Sequence, residues 1–423
     1  MNTRPLLDYA AALGIVLDNS TRLPAETCAP ADAVGRVLAE PVDSAVALPP
    51  FDNSAMDGFA LGGGDAPVAA GATLEVSGEQ AAGDENTLGS GQAWAIMTGA
   101  RLPDGFDRVI PVEQVHTLAT REDGEPARIR LEAAVRPGQN VRLAGSDVAV
   151  GERVLAAGTR VQPRHLMLLA ALGVASVPVI RRPRVAVLCT GRELVEDAST
   201  PLQPGQIRNS NGPFLGAQLT RSGAEVVHAE TVDDDEPAFE AALQRALAAG
   251  VDAVLTTGAV SMGRYDFVPS VLDRIGAHTL FHKVAIRPGK PLLFARLADG
   301  PLLFGLPGNP ISGAVGLRFF VEPALRAMTG MGTEIALRLP LAEPLRKKAA
   351  LRYHLKARVS INARGEQVVR VLDGQESYRI RPLAEANAWV VVEAGIETLA
   401  AGDRVAVFGM GHDEAVIAEE NTP

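Results

Sequence analysis

The chain has 423 residues, well beyond the roughly 100–200 of a typical domain, so several domains are expected. Hydrophobic residues make up 47% and charged residues 21%, the balance of a chain that buries a core, while 4% aromatics leave little for base-stacking surfaces. A net charge of −10, from 40 Lys+Arg against 50 Asp+Glu, excludes a global electrostatic grip on nucleic acid, so an anionic ligand needs a local basic pocket.

In chain order, Pro5 to Leu17 carry apolar residues at helical spacing (Leu6, Leu7, Ala10, Leu13, Leu17) and predict an amphipathic helix. A short helix is expected over Pro30 to Leu38, despite Gly35. Leu48-Pro49-Pro50-Phe51 forbids a regular helix and leads into Asp52-Asn53-Ser54-Ala55-Met56-Asp57-Gly58-Phe59-Ala60. From there to about Asn140, short alternating segments (Thr73–Ser77, Trp94–Met97, Val109–Val112, Arg128–Leu131) read as mostly β. One helix, Arg164 to Leu172, interrupts the Gly-punctuated stretch between residues 145 and 180.

A different organisation starts at Arg184. Strands are expected at Val185–Leu188, Glu225–Ala229, Val251–Thr256, Leu292–Leu297 and Leu302–Leu306. Helices alternate with them at Pro213–Ser222, Ala238–Ala249, Val268–Ile275 and, as one long helix, Ile311–Met328. This alternation predicts a mainly parallel sheet covered on both faces. From Gly332 the pattern is β again: Leu337–Leu339, Leu351–Ile361, Val368–Leu372, Ala388–Glu393 and Arg404–Val407, with a frayed tail over Asp413–Pro423.

Cys28 and Cys189 are too few for a disulfide framework or a zinc site. The N-terminus lacks a signal-peptide pattern, and the greasiest stretch, His165 to Ile180, is broken by Gly173, Ser176 and Pro178. A soluble cytoplasmic protein is expected.

In an open parallel sheet, ligands bind outside the carboxyl ends of the strands. Three strand ends carry unusual loops that would lie side by side: Thr190-Gly191-Arg192-Glu193-Leu194, Thr256-Thr257-Gly258-Ala259-Val260-Ser261 on to Asp266, and Leu306-Pro307-Gly308-Asn309-Pro310. Gly and Ser at such turns let backbone N–H groups approach an anion. Tight βα turns use Gly and Asn as well, so a single loop favours that plainer reading; three on one edge bring the ligand reading level with it. Charge adds to this. From Arg274 to Ala298 there is no acidic residue, yet Arg274, Lys283, Arg287, Lys290 and Arg296 are present, with Arg287-Pro288-Gly289-Lys290-Pro291 forming a stiffened basic turn. Glu193 and Asp266 lie on the ligand loops, where carboxylates beside phosphate-binding groups suggest Mg²⁺ ligation. Asp233, Asp234 and Asp235 precede Pro237 and occupy ordinary N-cap and first-turn positions. His165 and His228 read as structural or surface residues, and His282 is not assigned. The residues alone thus reach a multidomain α/β protein binding a phosphorylated anion, with Mg²⁺ as a candidate cation. They do not reach the reaction.

These segments resemble the molybdopterin molybdenumtransferase family (MoeA type), which is similar to the C-terminal half of gephyrin. The resemblance rests on Pro50 to Ala60, Ile96-Met97-Thr98-Gly99-Ala100 with Leu102-Pro103, Gly258 to Phe267, Arg287 to Pro291 and Gly305 to Pro310, in the family's order. It implies a multidomain α/β plus β fold: a central, mainly parallel three-layer molybdopterin-binding domain (181–330), with the N-terminal helix (1–24) packed on it. A protruding mostly β domain (45–144), a dimer or linker domain in two parts (25–44 and 145–180) and a small C-terminal β-barrel (331–423) complete the subunit.

The resemblance further implies a homodimer whose cleft lies between the protruding domain of one subunit and the α/β and barrel domains of the other. The implied reaction inserts molybdate into adenylylated molybdopterin, forming molybdenum cofactor and releasing AMP with Mg²⁺. Asp57, Glu193, Asp266, Lys283 and Lys290 are then the catalytic candidates. Thr98, Gly258, Ser261, Arg287, Gly289, Pro307, Gly308 and Asn309 would bind the pterin phosphate and nucleotide. Glu193, Asp235 and Asp266 would hold the metal, the choice among Asp233, Asp234 and Asp235 staying open. Partners are the small-molecule substrates and other molybdenum-cofactor biosynthesis proteins, with no nucleic acid and no membrane.

Two positions depart from the family pattern: Gly258-Ala259, where two glycines are commoner, and Arg192, where Asp is commoner. Rival readings keep the fold but make the chain a molybdopterin adenylyltransferase, a non-catalytic scaffold or a tungstate-inserting paralogue.

Overall fold

The computed structural model describes residues 6–85, 89–260, 267–298, 300–414, 416 and 418–420. At its centre is a six-stranded sheet in the order Glu225–Val232, Arg184–Thr190, Ala253–Thr257, Leu302–Leu306, Leu293–Arg296, His278–His282. The first four strands are parallel, and Leu293–Arg296 runs antiparallel to both of its neighbours. Alternation along Arg184–Thr190 shows why the sheet is covered twice. Val185, Val187 and Cys189 enter one core with the helices Tyr9–Asn19, Asn211–Arg221 and the 310–329 helix. Ala186 and Leu188 face the other, against the helices Glu236–Ala248 and Val268–Arg274. The result is the three-layer unit expected from the strand–helix alternation. The polar-edged strand His278–His282 was absent from that reading; its ladder with Leu293–Arg296 fixes it.

The helix expected over Ile311–Met328 is continuous but not uniform. Pro310–Gly316 and Glu322–Thr329 are α, and Leu317–Val321 between them widens to a π turn. Pro323 is the cause: it has no N–H for the carbonyl of Phe319, which instead accepts the hydroxyl of Tyr9 at 3.2 Å. Gly330 ends the helix in a left-handed cap at φ +74°.

Gly58–Leu61, Thr73–Gln80, Ala93–Ile96, Arg108–Pro111, Val115–Thr120 and Pro126–Leu131 form a second six-stranded sheet. Ala25–Cys28 pairs with Val177–Ile180, joining segments about 150 residues apart, an interval the sequence separation alone conceals. No helix forms over Pro30–Leu38. Its backbone is taken by longer-range bonds from Gly35 N–H to Val161 and from Leu38 N–H to Thr159, with Gly35 at φ +80°.

The C-terminal sheet joins Leu337–Pro340, Arg404–Phe408, Ala388–Val392 and Arg352–Ile361, with Gln367–Val371 on the long strand. A further strand, Ile286–Arg287, comes from the basic turn of the α/β unit and runs parallel to Arg352–Tyr353. The tail is not simply frayed. Asp413 and Glu414 pair with Arg160 and Arg221, and Glu419–Glu420 runs beside Ser360–Ile361. Residues 415, 417 and 421–423 of that segment lie outside the described residues. Among the described residues, no helix is long and apolar enough to cross a membrane.

Candidate active site

The three expected loops do converge at the carboxyl edge of the central sheet. Gly258, at φ +90°, follows the strand Ala253–Thr257, and a Cβ there would fall 2.6 Å from Thr190 Oγ1 and 2.7 Å from Thr190 O. Only glycine permits this approach. A Cβ on Gly308 would lie 3.6 Å from the Gly258 Cα, which brings the third loop alongside. Asn211 Nδ2 donates to the Gly308 carbonyl at 2.8 Å, tying the helix after the first strand to the loop after the last parallel one. Pro307 is buried, whereas Gly308 and Asn309 are exposed, and the Asn309 side chain makes no capping bond to the helix it precedes. Ala259 sits at φ +51°, a left-handed conformation that glycine adopts at lower cost. Ser261 and Asp266 lie outside the described residues.

The basic turn is built on the neighbouring antiparallel edge. Lys283 holds φ +79°, and the turn is closed by bonds from Lys283 N–H to Leu292 O and from Val284 N–H to Lys290 O. Gly289, at φ +100°, reverses the chain so that Arg287 and Lys290 are both exposed. A non-glycine residue held in the left-handed region is strained backbone of the kind that collects at functional sites. His282 Nε2 lies 2.7 Å from the Val260 carbonyl, linking this edge to the Gly258 loop.

Because Ile286–Arg287 is a strand of the C-terminal sheet, Arg287 lines a cavity of about 760 Å³ between the two units. Arg287, Arg346, Lys347 and Lys348 supply four cations to its lining, against Glu376 and Glu397. Tyr353 is the common platform, with the Arg287 guanidinium 5.5 Å and the Lys347 ammonium 5.1 Å from its ring centre. Burial pushes the Lys347 pKa down. Such an excess of positive charge in a half-enclosed space suits an oxyanion.

The carboxylates divide differently from expectation. Glu193 folds back over Gly191, where a Cβ would meet its carboxylate oxygens at 2.8 and 2.9 Å. Asp234, not Asp235, is its neighbour: partial burial first, then the Glu193 charge, raise the Asp234 pKa, while the N–H of Arg192 and its positive charge oppose the rise. Asp235 caps the helix Glu236–Ala248, accepting from Ala238 N–H at 3.0 Å. Asp57 Oδ1 accepts from Thr98 N–H at 2.6 Å, which unites two candidates 41 residues apart and lowers the Asp57 pKa. Gly58 follows because a Cβ there would fall 1.9 Å from Ile110 O. Phe51, Met56 and Met97 around this turn are 38%, 40% and 47% exposed.

Residues 7–173 match the MoeA N-terminal region (domain I and II), 186–327 a probable molybdopterin binding domain, and 338–408 the MoeA C-terminal region (domain IV). A molybdopterin molybdenumtransferase of Synechococcus elongatus is 40% identical over 411 residues, covering 95% of this chain and 99% of that one. The chain belongs to the MoeA family. A second molybdopterin molybdenumtransferase, from Bacillus subtilis, is 36% identical over 92% of this chain and 89% of its own length. The crystal structure of a molybdopterin biosynthesis moeA protein from Pyrococcus horikoshii superposes with a TM-score of 0.79 at 29% identity, covering 95% of this chain and 99% of that one. The MoeA-like architecture is therefore that of the whole chain and not of one unit.

Arg346, Lys347 and Lys348 escaped the sequence reading. Their signal was a run of three cations in an acidic protein, which by itself also describes a solvated turn.

Proposed function

We propose that this chain inserts molybdate into adenylylated molybdopterin, forming molybdenum cofactor and releasing AMP, in a Mg²⁺-dependent step in the cytoplasm. The observation that carries the reading is the four-cation cavity joined through Arg287 to the Lys283–Lys290 turn. The transfer brings together two kinds of anion, a phosphoanhydride and molybdate, and each needs its own cations. The Gly258 and Gly308 loops, with Asn309, hold the phosphates through backbone and side-chain donors. Lys283 and Lys290 neutralise charge as the phosphoanhydride bond breaks and AMP leaves, and Arg287 with Arg346–Lys348 retains the molybdate.

The Glu193–Asp234 pair suits a divalent cation: burial first, and then the Glu193 charge, raise the Asp234 pKa, and a bound cation would favour the ionised form that both disfavour. Glu193 and Asp234 would hold Mg²⁺ together with Asp266, and the ion would supply charge neutralisation at the phosphate oxygens. Asp57, presented by Thr98, is ionised and reaches the site from a second copy of the chain. The exposed Phe51, Met56 and Met97 beside it support that docking.

The deciding experiment measures AMP release from adenylylated molybdopterin by the purified chain with Mg²⁺, with and without molybdate. Molybdate-dependent release with molybdenum retained on the pterin is the expected result. Tight binding of the adenylate without release under either condition overturns the reading in favour of a scaffold.

A further inference from the structure

Lys356 is fully buried in the strand Arg352–Ile361, one residue beyond Leu355 of the cavity wall. Burial lowers its pKa, so a cation here costs stability that a methionine of similar length would not. Its ammonium is spent on two carbonyls of one loop: Gly374 O at 2.7 Å and Arg379 O at 3.0 Å. Gln375, between them, is stitched to the same residue. Lys356 N–H donates to Gln375 Oε1 at 3.0 Å, and Gln375 Nε2 donates to Lys356 O at 2.9 Å and to Leu372 O at 2.7 Å.

The loop so held has two uses. Gln375 and Glu376 line the basic cavity together with Arg287 and Tyr353. The carbonyl of Ser377 accepts the Ile311 N–H at 3.0 Å, in the first turn of the helix that follows Pro307-Gly308-Asn309. One buried ammonium therefore stands behind a contact between the cavity wall and the Gly308 loop.

We propose that Lys356 is a positioning residue: by clamping both ends of the 374–379 loop it sets the wall of the oxyanion cavity and latches that wall to the Gly308–Asn309 turn. This rests on the reading of the cavity as the molybdate site. A lysine placed only to stabilise the sheet would affect folding and nothing else, and the test separates the two.

The full-length chain and its Lys356→Met, Lys356→Gln and Lys356→Arg variants are compared by molybdate titration calorimetry, by KM and kcat for molybdate-dependent AMP release, and by amide exchange of the peptide containing Ile311. Lys356→Met is expected to raise KM for molybdate roughly tenfold, the loss of a hydrogen bond to a charged group, with kcat little changed. Exchange at Ile311 quickens in the same variant. Lys356→Gln, which keeps a donor without the charge, falls between, and Lys356→Arg restores most of KM. Unchanged Ile311 exchange in Lys356→Met and Lys356→Gln overturns the proposal, as does loss of stability with KM at the wild-type value. If Lys356→Met does not fold, Lys356→Gln carries the same readouts. Absence of molybdate binding by the wild type removes the cavity reading instead, and Ile311 exchange still judges the latch.

Discussion

Replacing Gly258 by alanine tests whether the three loops are as closely nested as described. Two costs arise. Holding a residue with a Cβ at φ +90° costs about 1–2 kcal/mol. The new methyl also meets Thr190 O at 2.7 Å, and that carbonyl ends a strand in which Thr190 is in register with Val232 and Cys189 with Thr257, so it yields only by bending the strand. Overpacking of this kind adds about 1–3 kcal/mol, for a total of about 2–5 kcal/mol. The control is Gly308→Ala: its Cβ finds only an ordinary 3.6 Å contact on an exposed turn and should stay within about 0.5 kcal/mol of wild type. Urea unfolding followed by far-UV circular dichroism gives the stability change, and hydrogen exchange of the peptides over 184–190 and 253–258 shows that it is local. Gly258→Ala unfolding at the wild-type urea concentration, with exchange in both strands unchanged, refutes the argument.

Ala259→Gly removes a left-handed alanine costing about 1–2 kcal/mol but adds about 0.5–1 kcal/mol of unfolded-chain entropy, so a net stabilisation of about 0.5 kcal/mol is expected in the same urea assay. If Asp57 acts on the partner's site, mixing inactive Asp57→Asn and Lys290→Ala chains restores about a quarter of the AMP-release activity through mixed dimers, as expected for statistical pairing of C2 dimers; no recovery after confirmed exchange of subunits refutes the shared cleft. His412 is buried and its pKa is pushed down to about 4 from 6.5 by burial and by Arg326, Arg318 and Arg160, with Asp413 opposing. A depressed folded pKa gives stability that is present above pH 6.5 and lost as pH falls through about 4, at most about 3 kcal/mol. Glu322, raised to about 7 mainly by burial, runs the other way: its contribution is lost as pH rises through 7. Wild type minus His412→Gln therefore isolates the histidine, and a flat difference between pH 6.5 and 4 would contradict it.

Much of the α/β unit was legible because its strands alternate between two buried faces, as Val185, Val187 and Cys189 do against Ala186 and Leu188. The loops after them were legible because glycine is required where Gly258 touches Thr190. What escaped depends on contacts made at long range. The strand Ile286–Arg287 is two residues long and exists only through Arg352–Tyr353, so no local periodicity announces it. Arg346–Lys348 become a cavity wall only through that pairing. Pro30–Leu38 failed as a helix because its amide groups are claimed by Val161 and Thr159. Asp235, an acid just before Glu236-Pro237, was legible as a cap from its local chemistry, and it caps the helix.

At Ala285 three stretches of chain meet. Its N–H donates to Leu7 O, its carbonyl accepts from Arg352 N–H, and it lies between Lys283 and Arg287. Mechanically this is a rivet and not a hinge: the N-terminal segment, the basic turn and the long strand of the C-terminal sheet must travel together. Swinging the C-terminal sheet outward would break the bond from Arg352 N–H to Ala285 O together with the Ile286–Arg287 pairing, so Arg287 keeps its place beside Tyr353 only while both persist.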